Sequence, residues 1–414
     1  MRIKGLLQSG FPAFTHTTYR WYWWGQTLSQ IGSWAQNVSL IWLVLQLTNS
    51  PFLMGVVSAL QNVPAMLLSL HAGVLIDRFP RRRILLITQS TLMLFSLVMA
   101  MLIGLGLVRY WMILVFAMGV GIVNCINNPA KQAIIIELVG REHLTNAIAL
   151  NSASFNSARL VGPAVAGVLL GLWGATWCFF INGLSFLGVI YILYRLPQTS
   201  EYTPPVTNPR GTHSRTSILK EMAEGMKFVR QNPLLLLVII MVGVISTIGI
   251  NFNILVPAMA KYELGENALG YGLLMSSLGV GAIVGALFVA MQSYREPDVR
   301  VMMGGALGLS LLSVIAGTLS NYFAAAIVFG LMGCCMICFS ATANSLIQTQ
   351  SSDNFRGRVM GVHSLMNNGL TPFGNLYAGF LAELWGAKKT FLLSGLIMLL
   401  FLGVLALRKK KGSL

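Results

Sequence analysis

The stretch WYWWGQTLSQIGSWAQNVSLIWLVLQLTNSPFLMGVVSALQNVPAMLLSLHAGVLI, residues 21–76, contains no Lys, Arg, Asp or Glu. A helix crossing a lipid bilayer needs about 20 apolar residues, so this run is too long for one crossing and long enough for two. Thr48-Asn49-Ser50-Pro51 supplies the turn residues that divide it. Its solvent is therefore lipid, in which every backbone N–H and C=O must be paired within the segment, and the helix is the form that does this.

The rest of the chain agrees. Of 414 residues 55% are hydrophobic and 10% charged, whereas a soluble domain carries about 25% charged residues to face water. Mean hydropathy is +0.71. Uncharged stretches read in the same way predict helices near 21–47, 52–76, 84–107, 110–136, 145–171, 175–195, 233–260, 268–291, 301–319, 322–350, 357–383 and 387–407. The expected fold is an all-α membrane protein with twelve transmembrane helices.

The formal charge of +16 could suit nucleic acid or a membrane surface. Position decides, because the cations sit in clusters between apolar stretches, such as Arg78 with Arg81, Arg82 and Arg83, and Arg408 with Lys409, Lys410 and Lys411. Counted by alternate loops, 23 of the 28 Lys and Arg fall on one side. Arg109, Lys261, Lys388 and Lys389 fall on the other, and Arg159 lies within a helix. By the positive-inside rule both termini are cytoplasmic. Nucleic acid is not an expected partner; the lipid bilayer is. Tyr19, Trp21, Tyr22, Trp23 and Trp24 form an aromatic belt where the first span meets the interface. Residues 1–20 lack an uninterrupted apolar core, so no cleavable signal is expected. Five cysteines lie in apolar segments, and Cys335 with Cys338 reads as small packing residues.

Domain boundaries follow from the longest hydrophilic stretch. Residues 196–232 contain Pro197, Pro204, Pro205 and Pro209, then an amphipathic segment with Ile218, Met222, Met226 and Val229 on one face. The expectation is an N-terminal six-helix bundle over 1–195, a cytoplasmic linker with an interfacial helix over 196–232, and a C-terminal six-helix bundle over 233–414. The two bundles are related by a repeat at a constant offset of 212. Gly162 pairs with Gly374, Ala166-Gly167 with Ala378-Gly379, Trp173-Gly174-Ala175 with Trp385-Gly386-Ala387, and Phe179, Gly183 and Leu184 with Phe391, Gly395 and Leu396. Upstream, Ser152 and Asn156 meet Ser364 and Asn368. Six spans separate the copies, so both have one membrane orientation, and the repeat is parallel. Two pseudo-symmetric halves enclosing a central site is a transporter architecture.

Between the second and third spans the chain reads Gly73-Val74-Leu75-Ile76-Asp77-Arg78-Phe79-Pro80-Arg81-Arg82-Arg83. This resembles the G-x-L-x-D-R-x-G-R-R/K signature of the major facilitator superfamily, with Pro80 where the signature has Gly. An acid at a helix end beside arginines can cross-link helix termini, and Gly73 permits close helix approach. The resemblance gives Asp77, Arg78 and Arg82 a gating role on the cytoplasmic side. The counterpart around Tyr294-Arg295-Glu296-Pro297-Asp298 is degenerate, so the latch is expected to be asymmetric. In the fifth span Gly162, Pro163 and Gly167 look like the glycine-proline motif of antiporters in that superfamily, and Gly and Pro bend a spanning helix. With Arg20-Trp21-Tyr22-Trp23-Trp24-Gly25-Gln26, Asn128-Pro129-Ala130-Lys131-Gln132 and Asn151-Ser152-Ala153-Ser154, the resemblance is to the bacterial branch containing enterobactin and macrolide exporters. It implies a multi-pass protein of the bacterial cytoplasmic membrane and proton-driven export.

Arg159 is the one cation read as deep in a helix, where a guanidinium needs acceptors or water; it serves substrate or proton coupling, or is a hydrogen-bond hub. The other titratable coupling candidates are Asp77, Glu137, Glu383, His71 and His363. Gln26, Gln30, Ser33 and Asn37 share one face of the first span, with Trp34 beside them. Asn124, Asn127 and Asn128 in the fourth span, Asn251 and Asn253 in the seventh, and Asn344 and Gln348 in the tenth extend the polar pattern. Spans one, four, seven and ten line the central cavity in the superfamily. These amides suit an amphipathic, hydrogen-bonding small molecule, or else bond helix to helix.

The reading is therefore a secondary exporter of drugs, macrolides or siderophores working by alternating access as a proton antiporter, a monomer with no cofactor and no metal. A non-transporting membrane scaffold or sensor with the same fold is the alternative. An enzyme is not expected: the sequence offers no Ser/His/Asp set, no H-E-x-x-H and no Walker lysine. Gly281 and Gly285 mark helix packing.

Overall fold

A computed structural model describes residues 11–196, 215–292 and 297–410. The side chains of Ser69–Ala72, Val74, Asp77, Leu160, Arg215–Met222, Asp353, Asn354 and Arg408–Lys410 lie outside that description, and with them fall the expectations for His71 and Asp77 and for the Ile218 and Met222 face. The Pro-rich part of the linker and the degenerate second signature around Tyr294 also lie outside the described residues.

The described chain is helical. The first six helices are α1 (Thr17–Thr48), α2 (Pro51–Arg78), α3 (Arg81–Gly104), α4 (Tyr110–Val139), α5 (Leu144–Trp173) and α6 (Ala175–Arg195). A linker helix, Arg215–Gln231, precedes α7, which runs Pro233–Ile248 and resumes as Phe252–Ala258 with a π-helical turn at Met259–Glu263. Then come α8 (Ala268–Met291), α9 (Val299–Ala316) and α10 (Tyr322–Gln350). Asp353–Ser364 begins α11, which passes a π turn at Leu365–Gly369 into the run Thr371–Lys410, and Gly386 bends that run and starts α12. Ten stretches among the described residues are long and apolar enough to cross a membrane. One of them, Phe355–Leu407, is 53 residues long and holds both α11 and α12. The polar first helix, 32 residues long, is not among the ten but exceeds the length of a crossing.

Caps at the turns explain where helices start. Asn232 accepts from the N–H groups of Leu234 (3.1 Å) and Leu235 (3.2 Å), with Pro233 at the first helical position, where its missing N–H costs nothing. Asn267 and Asn321 begin α8 and α10 in the same way. The two helix breaks that the repeat aligns, Gly174 (φ 81°) and Gly386 (φ 83°), have one conformation, in the left-handed region where a Cβ is costly.

The chain divides into two units, residues 1–48 with 60–205, and residues 49–59 with 206–414. Two segments fall differently from the expected bundle boundaries in this division. Asn49–Ala59, expected in the N-terminal bundle, belongs to the second unit. The reason is local: Ser50 Oγ (2.8 Å) and the Phe52 N–H (3.3 Å) both donate to Glu383 at the start of α2. Lys261 Nζ donates to Asn49 Oδ1 at 2.7 Å and Tyr262 OH to the Asn49 carbonyl at 2.7 Å. The linker helix also falls in the second unit. It packs on the Asp353–Ser364 segment, where Phe228 stacks on Phe355 (4.7 Å, 9°), Glu224 pairs with Arg358 at 3.0 Å and Val229 is buried. That end of its apolar face is covered by protein rather than laid on lipid.

Inside each unit, lipid removes the hydrophobic advantage of packing, so helices hold by close approach and hydrogen bonds. A Cβ at Gly281 would collide with Gly330, and one at Gly285 would sit 2.5 Å from the Cys334 carbonyl, which makes the Gly281/Gly285 pair the crossing of α8 with α10. Cys335 lies against Gly308, and Cys338 is buried; all five cysteines are free.

Candidate functional site

In the first unit the functional surface is built on α5 and α1. The crossing of these helices is set by Gly162, where a Cβ would run into Trp34 Cβ, the Ile31 carbonyl (3.1 Å) and the Ala35 N–H (3.2 Å). In the second unit a Cβ at Gly374 would sit 2.6 Å from the Thr247 carbonyl and 2.9 Å from Asn251 Oδ1. Ala35 and Thr247 are themselves 212 residues apart. The repeat thus carries both sides of one helix crossing, within each unit separately. Pro163 and Gly167 are buried beside this crossing.

Close approach at Gly162 brings Trp34 to α5. The Arg159 guanidinium lies 5.9 Å from the centre of the Trp34 ring, and Phe155 meets that ring edge-on at 6.0 Å. Ser152, Phe155, Asn156 and Arg159 are exposed at helical spacing on α5. Ser33 is exposed and Asn37 half-buried on α1. Arg159 is the sixteenth residue of α5, about 22 Å from the helix start at 1.5 Å per residue. A guanidinium accessible at that depth faces a wet surface, since hydrocarbon would exclude it.

The structure corrects the reading of Arg159 as the one interior cation. Lys131 lies inside α4, eight residues before its end at Val139, and is half-buried. The count by loops groups Lys131 with the loop charges although the expected span 110–136 already contains it, and the helix runs on to Val139. Its turn neighbour Asn127 is fully buried and accepts from Thr88 (3.1 Å) and Gln89 (3.2 Å).

Several polar residues read as candidate substrate contacts make helix-to-helix bonds, the other reading that the sequence left open. Gln30 donates to Ser154 at 3.4 Å, beside a 2.6 Å bond between Thr27 and Ser154. Ser33 donates to Asn182 Oδ1 at 3.4 Å. Asn182, which the sequence reading did not single out, joins three helices: its amide donates to Gln36 (2.8 Å) and Ser96 (3.5 Å). Asn127 is closed to a ligand by its burial, and Asn251 bonds the Thr247 carbonyl of its own helix at 2.7 Å. Gln26 is 4% exposed, so it is no open contact either. Among the described candidates Trp34, Asn37, Asn124, Asn253 and Asn344 are half-buried, and Asn128 and Gln348 exposed.

The arginines of the signature bind within the first unit. Arg82 Nε and NH2 donate to the carbonyls of Leu193 (2.6 Å) and Tyr194 (2.8 Å), capping the end of α6. Arg81 pairs with Glu137 at 2.6 Å, tying the start of α3 to the end of α4. Arg78 is exposed at the end of α2. At Gly73 an added Cβ meets nothing within 4 Å among the described residues. Of the coupling candidates, Glu137 is held by Arg81, Glu383 by Ser50 and Phe52, and His363 is half-buried near the end of the Asp353–Ser364 segment. Because the Arg81–Glu137 pair is partly exposed, Glu137→Gln should lower stability by about 1 kcal/mol or less. Thermal unfolding in detergent checks this; a collapse of the purified protein would show that Glu137 does more than join two helix ends.

Residues 8–411 match the family described as transmembrane secretion effector. The staphyloferrin A transporter of Staphylococcus aureus is 24% identical over 370 residues, covering 88% of this chain and 90% of that protein. Macrolide efflux protein A of Streptococcus pyogenes is 21% identical, covering 91% and 92%. Among solved structures, the nucleoside transporter NupG aligns with a TM-score of 0.71 at 13% identity, covering 94% of this chain and 98% of that one, a likeness of fold.

Proposed function

Because this chain belongs to the transmembrane secretion effector family of the major facilitator superfamily, we propose that it exports amphipathic small molecules of the drug, macrolide or siderophore class by alternating access. One observation carries the reading: α5 and α1 present Arg159, Asn156, Ser152 and Trp34 on an accessible surface at membrane depth, where a scaffold buried in lipid has no use for them. The proposal includes proton antiport as the driving force, a monomer in a bacterial cytoplasmic membrane, and both termini on the cytoplasmic side. The clustering of cations in alternate loops supports that orientation. Support for the cargo class comes from names such as macrolide efflux protein A.

Energised efflux tests this directly. Cells expressing the chain should retain less macrolide or dye than cells without it, and an uncoupler should abolish the difference. Equal retention with well-inserted protein would favour the non-transporting scaffold. In the same assay Asp77→Asn should cut efflux about tenfold or more with the protein level unchanged, if the acid latches the cytoplasmic side. Normal efflux from that variant would remove the latch.

A further inference from the structure

We propose that the cargo is an amphipathic anion, whose negative group is received by the Arg159 guanidinium beside Trp34 and whose apolar body lies on Trp34 and Phe155. The inference rests on the export reading and narrows it to one sign of charge, which favours acidic siderophore-like cargo over macrolides with a basic amino sugar.

The argument is a charge inventory by depth. Helices α1 to α6 contain two acids, Asp77 and Glu137. Each stands within three residues of a helix end, and Glu137 is already paired with Arg81. The cations between the ends are Lys131 on α4 and Arg159 on α5. At the depth of Arg159 these six helices therefore offer positive charge and no carboxylate. A wet surface bordered by low-dielectric walls focuses the field of its charges, so a cation brought to this surface is repelled and an anion held. A guanidinium is also the side chain that matches a carboxylate or similar planar anion with two parallel hydrogen bonds.

The surroundings set the remaining chemistry. Trp34 and Phe155 meet edge-on and give an apolar platform beside the charge. Ser152 and Asn156 lie on the same exposed face of α5, where they donate to the Ile148 (3.0 Å) and Ser152 (2.8 Å) carbonyls of their own helix and add polarity rather than a demonstrated contact. Lys131 lies about 12 Å from the end of α4, nearer the arginine-rich end than Arg159, and supplies a second positive step. A cargo carrying several acidic groups on an apolar frame fits this better than an amine drug.

Two dyes on one xanthene frame separate the signs: carboxyfluorescein, an anion, and rhodamine 6G, a cation. The full chain is purified in detergent and dye binding followed by anisotropy, and inverted vesicles report energised accumulation. Carboxyfluorescein should bind at least tenfold more tightly than rhodamine 6G. Arg159→Gln should weaken it about thirtyfold, as loss of one partner of a desolvated charged contact does. Arg159→Lys should recover part of that, and Lys131→Gln should lose less than Arg159→Gln. Equal binding of the two dyes, preference for rhodamine 6G, or carboxyfluorescein binding unmoved in a folded Arg159→Gln protein would overturn the inference. If the anion binds as expected but vesicles accumulate neither dye, the inference stands and the export reading falls.

Discussion

Gly162→Leu should leave little folded protein in the membrane and no export. The Cβ alone would overlap Trp34 Cβ and press on the backbone of Ile31 and Ala35, so there is no flexible side chain to swing away; α5 must separate from α1 along its length. Overpacking of this kind costs about 1–3 kcal/mol in a core that can relax, and here backbone meets backbone, so the upper end applies. Lost contact cannot be recovered from water, because lipid gives helices no hydrophobic reason to stay together. The repeat extends the expectation: Gly374→Leu should do comparable damage in the second unit, against Thr247 and Asn251. Thermal unfolding of both variants, beside Gly403→Leu, where a Cβ meets nothing within 4 Å, is the measurement. A Gly162→Leu protein as stable as the Gly403→Leu control would mean that α5 and α1 do not cross where Gly162 puts them.

Asn182→Leu has the second largest expected effect. Asn182 is 1% exposed, and its two polar atoms serve Gln36 and Ser33 of α1, Ser96 of α3 and Ser185 of its own helix. A leucine of similar size removes both the donor and the acceptor and strands the Gln36 carbonyl in a dry interior. Leaving one such group unpaired costs about 1–3 kcal/mol, reduced in membranes where the unfolded reference also finds partners. A fall in midpoint of several degrees on thermal unfolding should follow. Asn182→Gln should recover part of it. An unchanged midpoint for Asn182→Leu would show that Gln36 finds another donor.

What could be read in advance, and what could not, divides along a physical line. Crossings are legible because lipid forbids charge and unpaired backbone: the turn at Asn49, which adopts φ 52°, is marked by Thr48-Asn49-Ser50-Pro51 in the sequence itself. The glycine repeat is legible because identical crossings demand identical absences of a side chain. Polar partners are another matter. Helical spacing places Gln26, Gln30, Ser33 and Asn37 on one face, but it does not say that Ser154 and Asn182 cover part of that face. Asn182 itself was hidden because one amide in an apolar helix has no period. Lys131 escaped for a different reason: the count by sign groups it with the loop cations, although it lies within the expected span 110–136 and eight residues before the end of α4. The signature arginines were assigned by resemblance to a latch, while their hydrogen bonds to Leu193 and Tyr194 and the ion pair to Glu137 depend on where α6 and α4 end in space.

The two π turns, at Met259–Glu263 and Leu365–Gly369, both fall in the second unit. Residues 153–157, which the 212-residue offset aligns with the latter, are ordinary α-helix in the first. A π turn is an α-helix that has swallowed an extra residue, loosening its ladder at that point. The two copies therefore differ locally: regular α-helix precedes the interior arginine in one, and a π turn precedes threonine, Thr371, at the matching place in the other. The expectation is that the hydrogen-bond ladder opens more readily at Leu365–Gly369 than at residues 153–157, beside Arg159.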